Sequence, residues 1–200
     1  MHDTLGIILA RKGSKRLPGK NNECIGKEND KLIDIVVSKA KKAGITKIWL
    51  CTDDPALKIT GGVTYISRPE ELSGDNVPGE AVISHIFSEH ISDMYGFKYF
   101  CVLQVTAPLF RPGQLKQALR TVHKNDLPGC VSVNPAFKPS GNFYIINIDL
   151  FRRNYESRPG QGLWIPGIHI IKLPWNECVD IDYIYDLRIA QAVYERKVIK

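Results

Sequence analysis

Between Arg11 and Lys20 the chain reads RKGSKRLPGK, with five cations in ten positions and no acidic residue. Arg11, Lys12, Lys15, Arg16 and Lys20 repel one another, while Gly13, Pro18 and Gly19 keep the segment from relaxing into a helix. A loop rich in backbone N–H groups, freed by glycine and carrying guanidinium and ammonium groups, suits a polyphosphate. It is not a P-loop. Counted from Gly13, the second glycine falls one place late, at Gly19, and Asn21 stands where the magnesium-binding hydroxyl belongs. G-x-G-x-x-G is absent as well, so neither a P-loop kinase or ATPase nor a dinucleotide fingerprint is indicated.

Charge supports a small anion over a polymer. Removing the five loop cations from the net charge of +6 leaves only +1, and no basic stripe is interleaved with aromatics, so a nucleic-acid partner is not expected. The five cysteines (24, 51, 101, 130 and 178) form no C-x-x-C pair, and three of them fall in apparent strands. Buried reduced thiols of a cytoplasmic protein are expected, rather than disulfides or a zinc site. No apolar run approaches the roughly 18 residues that span a bilayer. The opening MHDTLGIILARKG lacks the basic start and long apolar core of a signal peptide, so no membrane partner is expected.

The elements that must position the loop follow from periodicity. Residues 5–10 are continuously apolar, as in a strand buried on both faces. Residues 31–43 follow helical period, and Gly44 supplies the stop. Strands are expected at 47–52, 62–67, 98–104, 130–133, 143–148 and 168–173, and helices at 79–94, 112–125 and 183–197. Asp54 before Pro55 predicts a further helix start; residues 154–167 read as a loop. Strands alternating with helices over 200 residues with 44% apolar content indicate one α/β domain, a sandwich on a mainly parallel sheet. In such sheets ligands bind beyond the carboxyl ends of the strands. The cation loop follows the first strand and QVTAPLFRP follows the central one, so both should open onto the same edge.

Residues 9–21, LARKGSKRLPGKN, resemble the R-x-x-S-K-x-x-P-x-K-N signature of the CMP-sugar synthetases, which activate acylneuraminic, Kdo, legionaminic and pseudaminic acids. Three more segments follow in family order: RPEELSGD (68–75), LQVTAPL (103–109) and VDIDYIYDLRIAQ (179–191). The resemblance implies a nucleotide-diphospho-sugar transferase-like (Rossmann-like) three-layer αβα sandwich and a cytidylyltransferase that moves CMP from CTP to a sugar acid. It implies that Arg11, Lys15 and Lys20 hold the triphosphate, that Gly13 and Ser14 also belong to the nucleotide-binding set, that Asn21 meets base or ribose, and that Arg68 shapes the nucleotide pocket. Gln104 and Thr106 would face the acceptor, and Asp180 and Asp182 would bind Mg2+. Arg11, Lys20 and Asp182 are the implied catalytic set. In an extended D-x-D, alternate side chains share a face, so both carboxylates can serve one ion.

The chain departs from that pattern in places. Val105 and Ala107 replace the proline and serine of the family's Q-P-T-S-P, and Gly79 stands where the family carries a hydroxyl that helps read cytosine. Only AFKPSG separates SVNP from NFYIIN, where the family has a dimerisation arm that also completes the sugar site. A different base or acceptor, or a CTP-binding homologue without turnover, therefore stays open, as does monomer against homodimer. Residue by residue, Asp180 and Asp182 have a second reading as caps of the last helix, and Gln104 as a hydrogen-bonding core residue. Asp53 and Asp54 read as caps and Asp75 as ordering its own loop. Trp164 and Trp175 either pack or line a sugar site, and the histidines read as structural or exposed.

Overall fold

In the computed structural model, residues 3–26, 30–57, 59, 62–160 and 162–198 are described. Ile199 and Lys200 of the basic C-terminal end lie outside them. Seven strands form one sheet: β1 (Thr4–Leu9), β2 (Ile48–Thr52), β3 (Thr64–Ser67), β4 (Tyr99–Leu103), β5 (Gly129–Val133), β6 (Pro139–Asn147) and β7 (His169–Lys172). Their order is β3-β2-β1-β4-β6-β5-β7, and β6 alone runs antiparallel to its neighbours. The expected mainly parallel mixed sheet is the one observed.

Helices cover both faces, because the strands bury both of their side-chain sets. Along β4, Tyr99, Cys101 and Leu103 enter one core and Phe100 and Val102 the other, the period of two that a doubly covered strand requires. The first core is closed by α1 (Leu32–Ala43), α3 (Pro112–Lys124) and α5 (Ile184–Val198). The second is closed by α2 (Gly79–Glu89) and α4 (Ile148–Ser157), where Phe87, Phe100 and Phe151 meet edge to face at 5.1–5.5 Å. This is a three-layer αβα sandwich. Gly44, at φ 104°, ends α1 as expected.

Several boundaries differ from the sequence reading. Among the described residues no helix follows Asp54-Pro55; Asp54 Oδ1 instead accepts from the Ala56 N–H and closes a turn. The expected 79–94 helix stops at Glu89, and a 3-10 turn covers Ile91–Met94. The helix α4 was missed although it carries its own start signal: Asn147 Oδ1 accepts from the Leu150 N–H at 3.0 Å. The strand pattern of FYIINI concealed it, since strand and helix join without a loop. The short link after β5 is a tight hairpin. Asn134 Oδ1 accepts from the N–H groups of Ala136 and Lys138, and Phe137 adopts φ 60°.

Sheet order places the functional edge. The chain leaves β1 to β2 on one side, while β4 lies on the other, so the crevice opens outside the carboxyl ends of β1 and β4. The cation loop follows the first of these strands and the Gln104–Thr106 segment the second.

Candidate active site

Anchors hold the cation loop in place from below. Buried Asn21 donates from Nδ2 to the Arg11 carbonyl at 3.0 Å, and the Lys12 N–H is taken by Asp53 Oδ1 at 2.7 Å. Leu17 is buried in the first core, so the loop has an apolar peg between its charges. Carboxylates hold it from across the crevice. Asp75 Oδ1 lies 2.6 Å from Arg11 Nη1 and its Oδ2 2.5 Å from Lys15 Nζ. The bonds from Lys15 and Arg11 keep the Asp75 carboxyl below the usual range. Asp182 Oδ1 faces Arg16 Nη2 at 2.9 Å and Lys20 Nζ at 3.2 Å, and Lys20 also reaches the Ile181 carbonyl.

The capping reading of the two aspartates does not describe what their side chains do. Asp186 Oδ2 accepts from the N–H groups of Asp182 and Tyr183, so the start of α5 is capped from within. Asp182 is left facing the cations. Asp180 keeps an exposed edge, yet the protein packed behind its carboxyl raises it above the ordinary range; a bond from Thr106 opposes this shift and the neighbouring Asp182 adds to it. Among the described residues neither Asp53 nor Asp54 caps a helix, contrary to expectation: Asp54 closes a turn and Asp53 anchors the cation loop through the Lys12 N–H. Asp75 orders that same cation loop rather than its own.

A cavity of about 380 Å3 lies between these segments. Of the site residues implied by the resemblance, Arg11, Lys20, Asn21, Arg68, Gln104 and Thr106 line it, and Asp75, Gly79 and Val105 stand on the same wall. Gly13, Ser14 and Lys15 belong to the loop but lie outside the wall, as do Asp180 and Asp182, which adjoin it through Thr106 and Lys20. Arg68 is buried to 7% exposure and gives Nε and Nη2 to the Leu72 carbonyl, which fixes its fork. Burial lowers its guanidinium from the usual value, without neutralising it.

Some wall residues were not found by sequence reasoning. Glu80 and Tyr144 carry no motif; they reach the cavity only because α2 and β6 meet there. Burial raises the Tyr144 phenol, with Asp180 and Glu80 adding to the shift. Trp164 lies half exposed on the wall beside Leu163, its carbonyl accepting from Asn154 Nδ2, whereas Trp175 stands elsewhere and exposed. Arg111 pairs with buried Glu177 at 2.7 Å, and Asn142 Nδ2 joins the carbonyls of Ala107 and Glu177. Those bonds fasten the Gln104 segment to the chain that leads into Asp180.

Among the described residues no three His, Cys, Asp or Glu side chains gather to hold a metal. Two carboxylates close enough that Asp182 raises Asp180 have the chemistry to share a divalent cation that takes its remaining ligands from water and phosphate.

A mainly parallel sheet with a cation loop and a polar segment facing each other across its switch point is a nucleotidyltransferase arrangement. The sequence profile described as cytidylyltransferase matches residues 5–144, and the chain belongs to that family. It is 28% identical over 227 aligned positions to the pseudaminic acid cytidylyltransferase of Campylobacter jejuni, covering 96% of each chain. That alignment is longer than this chain, so the relative carries stretches that this one lacks. In fold it resembles CMP:2-keto-3-deoxy-manno-octonic acid synthetase solved with CTP, at a TM-score of 0.68 and 18% identity over 97% of this chain and 99% of that one. It also resembles a Mycobacterium tuberculosis protein solved with manganese, at a TM-score of 0.60 and 14% identity over 93% and 96% of the two chains.

Proposed function

We propose that residues 1–200 form a single nucleotidyltransferase domain, working in the cytoplasm, that transfers CMP from CTP to a sugar acid and releases pyrophosphate. One observation carries this reading: in a chain of the cytidylyltransferase family, a single cavity sets Arg11, Lys20, Asn21 and Arg68 opposite Gln104 and Thr106. Among the described residues no helix is long and apolar enough to cross a membrane.

The residues would divide the work by charge. The triphosphate replaces Asp75 and Asp182 as the anion held by Arg11, Lys15 and Lys20, with Gly13 and Ser14 offering backbone N–H groups. Asn21 and Arg68, both buried and both fixed by carbonyls, shape the nucleoside end. Gln104 and Thr106 position the acceptor so that its anomeric hydroxyl oxygen attacks the α-phosphorus in line. The bond from the α-phosphorus to the oxygen shared with the β-phosphate then breaks, that oxygen leaves with the pyrophosphate, and the hydroxyl gives its proton to solvent water as the new bond forms. Charge builds on the leaving pyrophosphate, where Arg11 and Lys20 stand, so rate comes from positioning and electrostatic stabilisation. Asp180 and Asp182 would hold Mg2+, which when bound neutralises phosphate charge and lowers the pKa of the attacking hydroxyl.

A pyrophosphate-release assay with CTP across pseudaminic acid, N-acetylneuraminic acid and Kdo tests the proposal; no turnover with any acid overturns it. A second reading, another base, is favoured by Gly79, whose place on the wall lies against Leu9 and offers no hydroxyl. Thermal shift with CTP, UTP, ATP and GTP separates the two, since a ligand that binds only the folded chain raises Tm.

A further inference from the structure

The residues lining the cavity come from opposite sides of the sheet edge. Arg68 follows β3 and Arg11 follows β1, whereas Tyr144 stands on β6, beyond β4, and lines the cavity with Glu80, Leu163 and Trp164. Glu80 lies in the first turn of α2 and is only 8% exposed, unusual burial for a carboxylate. Its Oε1 accepts from the Leu163 N–H at 3.0 Å. Among the described residues no ion pair includes it, and no other hydrogen bond reaches it. The start of α2 eases the burial of its charge, and a carboxylate accepts several hydrogen bonds. The second oxygen takes its donors from the cavity that Glu80 lines, from water there or from a ligand that displaces it.

We propose that Glu80 selects the acceptor: its second carboxylate oxygen takes a hydrogen bond from a hydroxyl or amino group on the acceptor, at the end remote from the acceptor's own acid group. This rests on the nucleotidyl-transfer reading above. The cavity's polarity gives the same orientation. A sugar acid placed the other way round would bring its carboxylate against buried Glu80, two like charges in a medium that screens them poorly. Placed this way, its acid group lies toward the cations and its hydroxylated tail toward Glu80. An acceptor presenting a carbonyl or carboxylate at that end would leave Glu80 unpaired and be rejected, which is how a site built around a hydrogen bond discriminates.

Glu80→Gln tests this without removing the bond to Leu163, because the amide oxygen can still accept it. KM is measured for pseudaminic acid, N-acetylneuraminic acid and Kdo at saturating CTP, and for CTP at saturating acid. For the acid that the wild type uses best, the substitution should raise KM about tenfold or more, the loss expected for a hydrogen bond to a charged group. The CTP KM, kcat and Tm should stay where they were. An unchanged acid KM overturns the assignment. So does a changed preference for CTP over UTP, which would set the carboxylate against the amino group of the base instead. Absence of turnover by the wild type with all three acids removes the functional reading itself, and this assignment with it.

Discussion

Lys20 touches two elements at once: its ammonium sits 3.2 Å from Asp182 Oδ1 and 3.5 Å from the Ile181 carbonyl, at the wall where the triphosphate is proposed to lie. Lys20→Ala should weaken CTP binding by about 10- to 100-fold, the range for charge-assisted bonds, measured by calorimetry. Its Tm should fall little, because a partly exposed ion pair contributes about 1 kcal/mol or less. Normal CTP binding by that variant would displace the nucleotide from this loop. Asp182→Asn separates metal handling from grip. It removes a carboxylate charge that already lies beside two cations. CTP affinity should therefore be largely kept while pyrophosphate release is lost at every magnesium concentration; full turnover would assign Asp182 to holding Arg16 and Lys20 in place.

Elements explain the thiols. Cys51, Cys101 and Cys130 occupy β2, β4 and β5, all buried on both faces. Burial pushes Cys51 up to about 11 and Cys130 up to about 12, and raises Cys101 as well. Iodoacetamide near pH 8 should therefore label no more than the two partly exposed cysteines, Cys24 and Cys178, in the native protein, and all five after denaturation. Mass spectrometry of the native adduct checks this. Strands of this kind were readable because a continuous apolar run has one stable place, the middle of a covered sheet. The helix α4 was not, because Ile145 to Ile148 continue the strand's pattern and only the Asn147 cap turns the chain. The turn at Asp54-Pro55 misled in the other direction. A good cap needs a run of residues long enough to make a helix behind it, and the chain reaches Gly61-Gly62 within seven residues.

For the molecule as a whole, His123 joins α3 to the start of β1. Its Nε2 lies 2.9 Å from Thr4 Oγ1, its Nδ1 3.3 Å from Asp3, and its ring meets Tyr99 at 4.8 Å. Burial lowers its pKa, with Asp3 opposing. The folded chain thus takes up this proton less readily than the unfolded one. The stabilisation is complete above the ordinary imidazole value of about 6.5 and is lost as pH falls through the lower folded value. Tm should decline from pH 7 towards pH 5, and His123→Gln should flatten that slope; an unchanged slope would show that His123 is not the group responsible.

The sequence by itself determined the sheet, its mainly parallel run and the cation loop on the carboxyl edge, since apolar period, glycine and concentrated charge are local properties of the chain. It also placed Gln104 and Thr106 on that same edge, and the cavity contains both. Tertiary structure alone decided which carboxylate answers which cation, Asp75 taking Arg11 and Lys15 and Asp182 taking Arg16 and Lys20. It alone brought Glu80, Tyr144 and Trp164 to one wall. These are meetings between residues far apart in the chain, fixed by how helices pack across a twisted sheet, and no local pattern encodes such a distance.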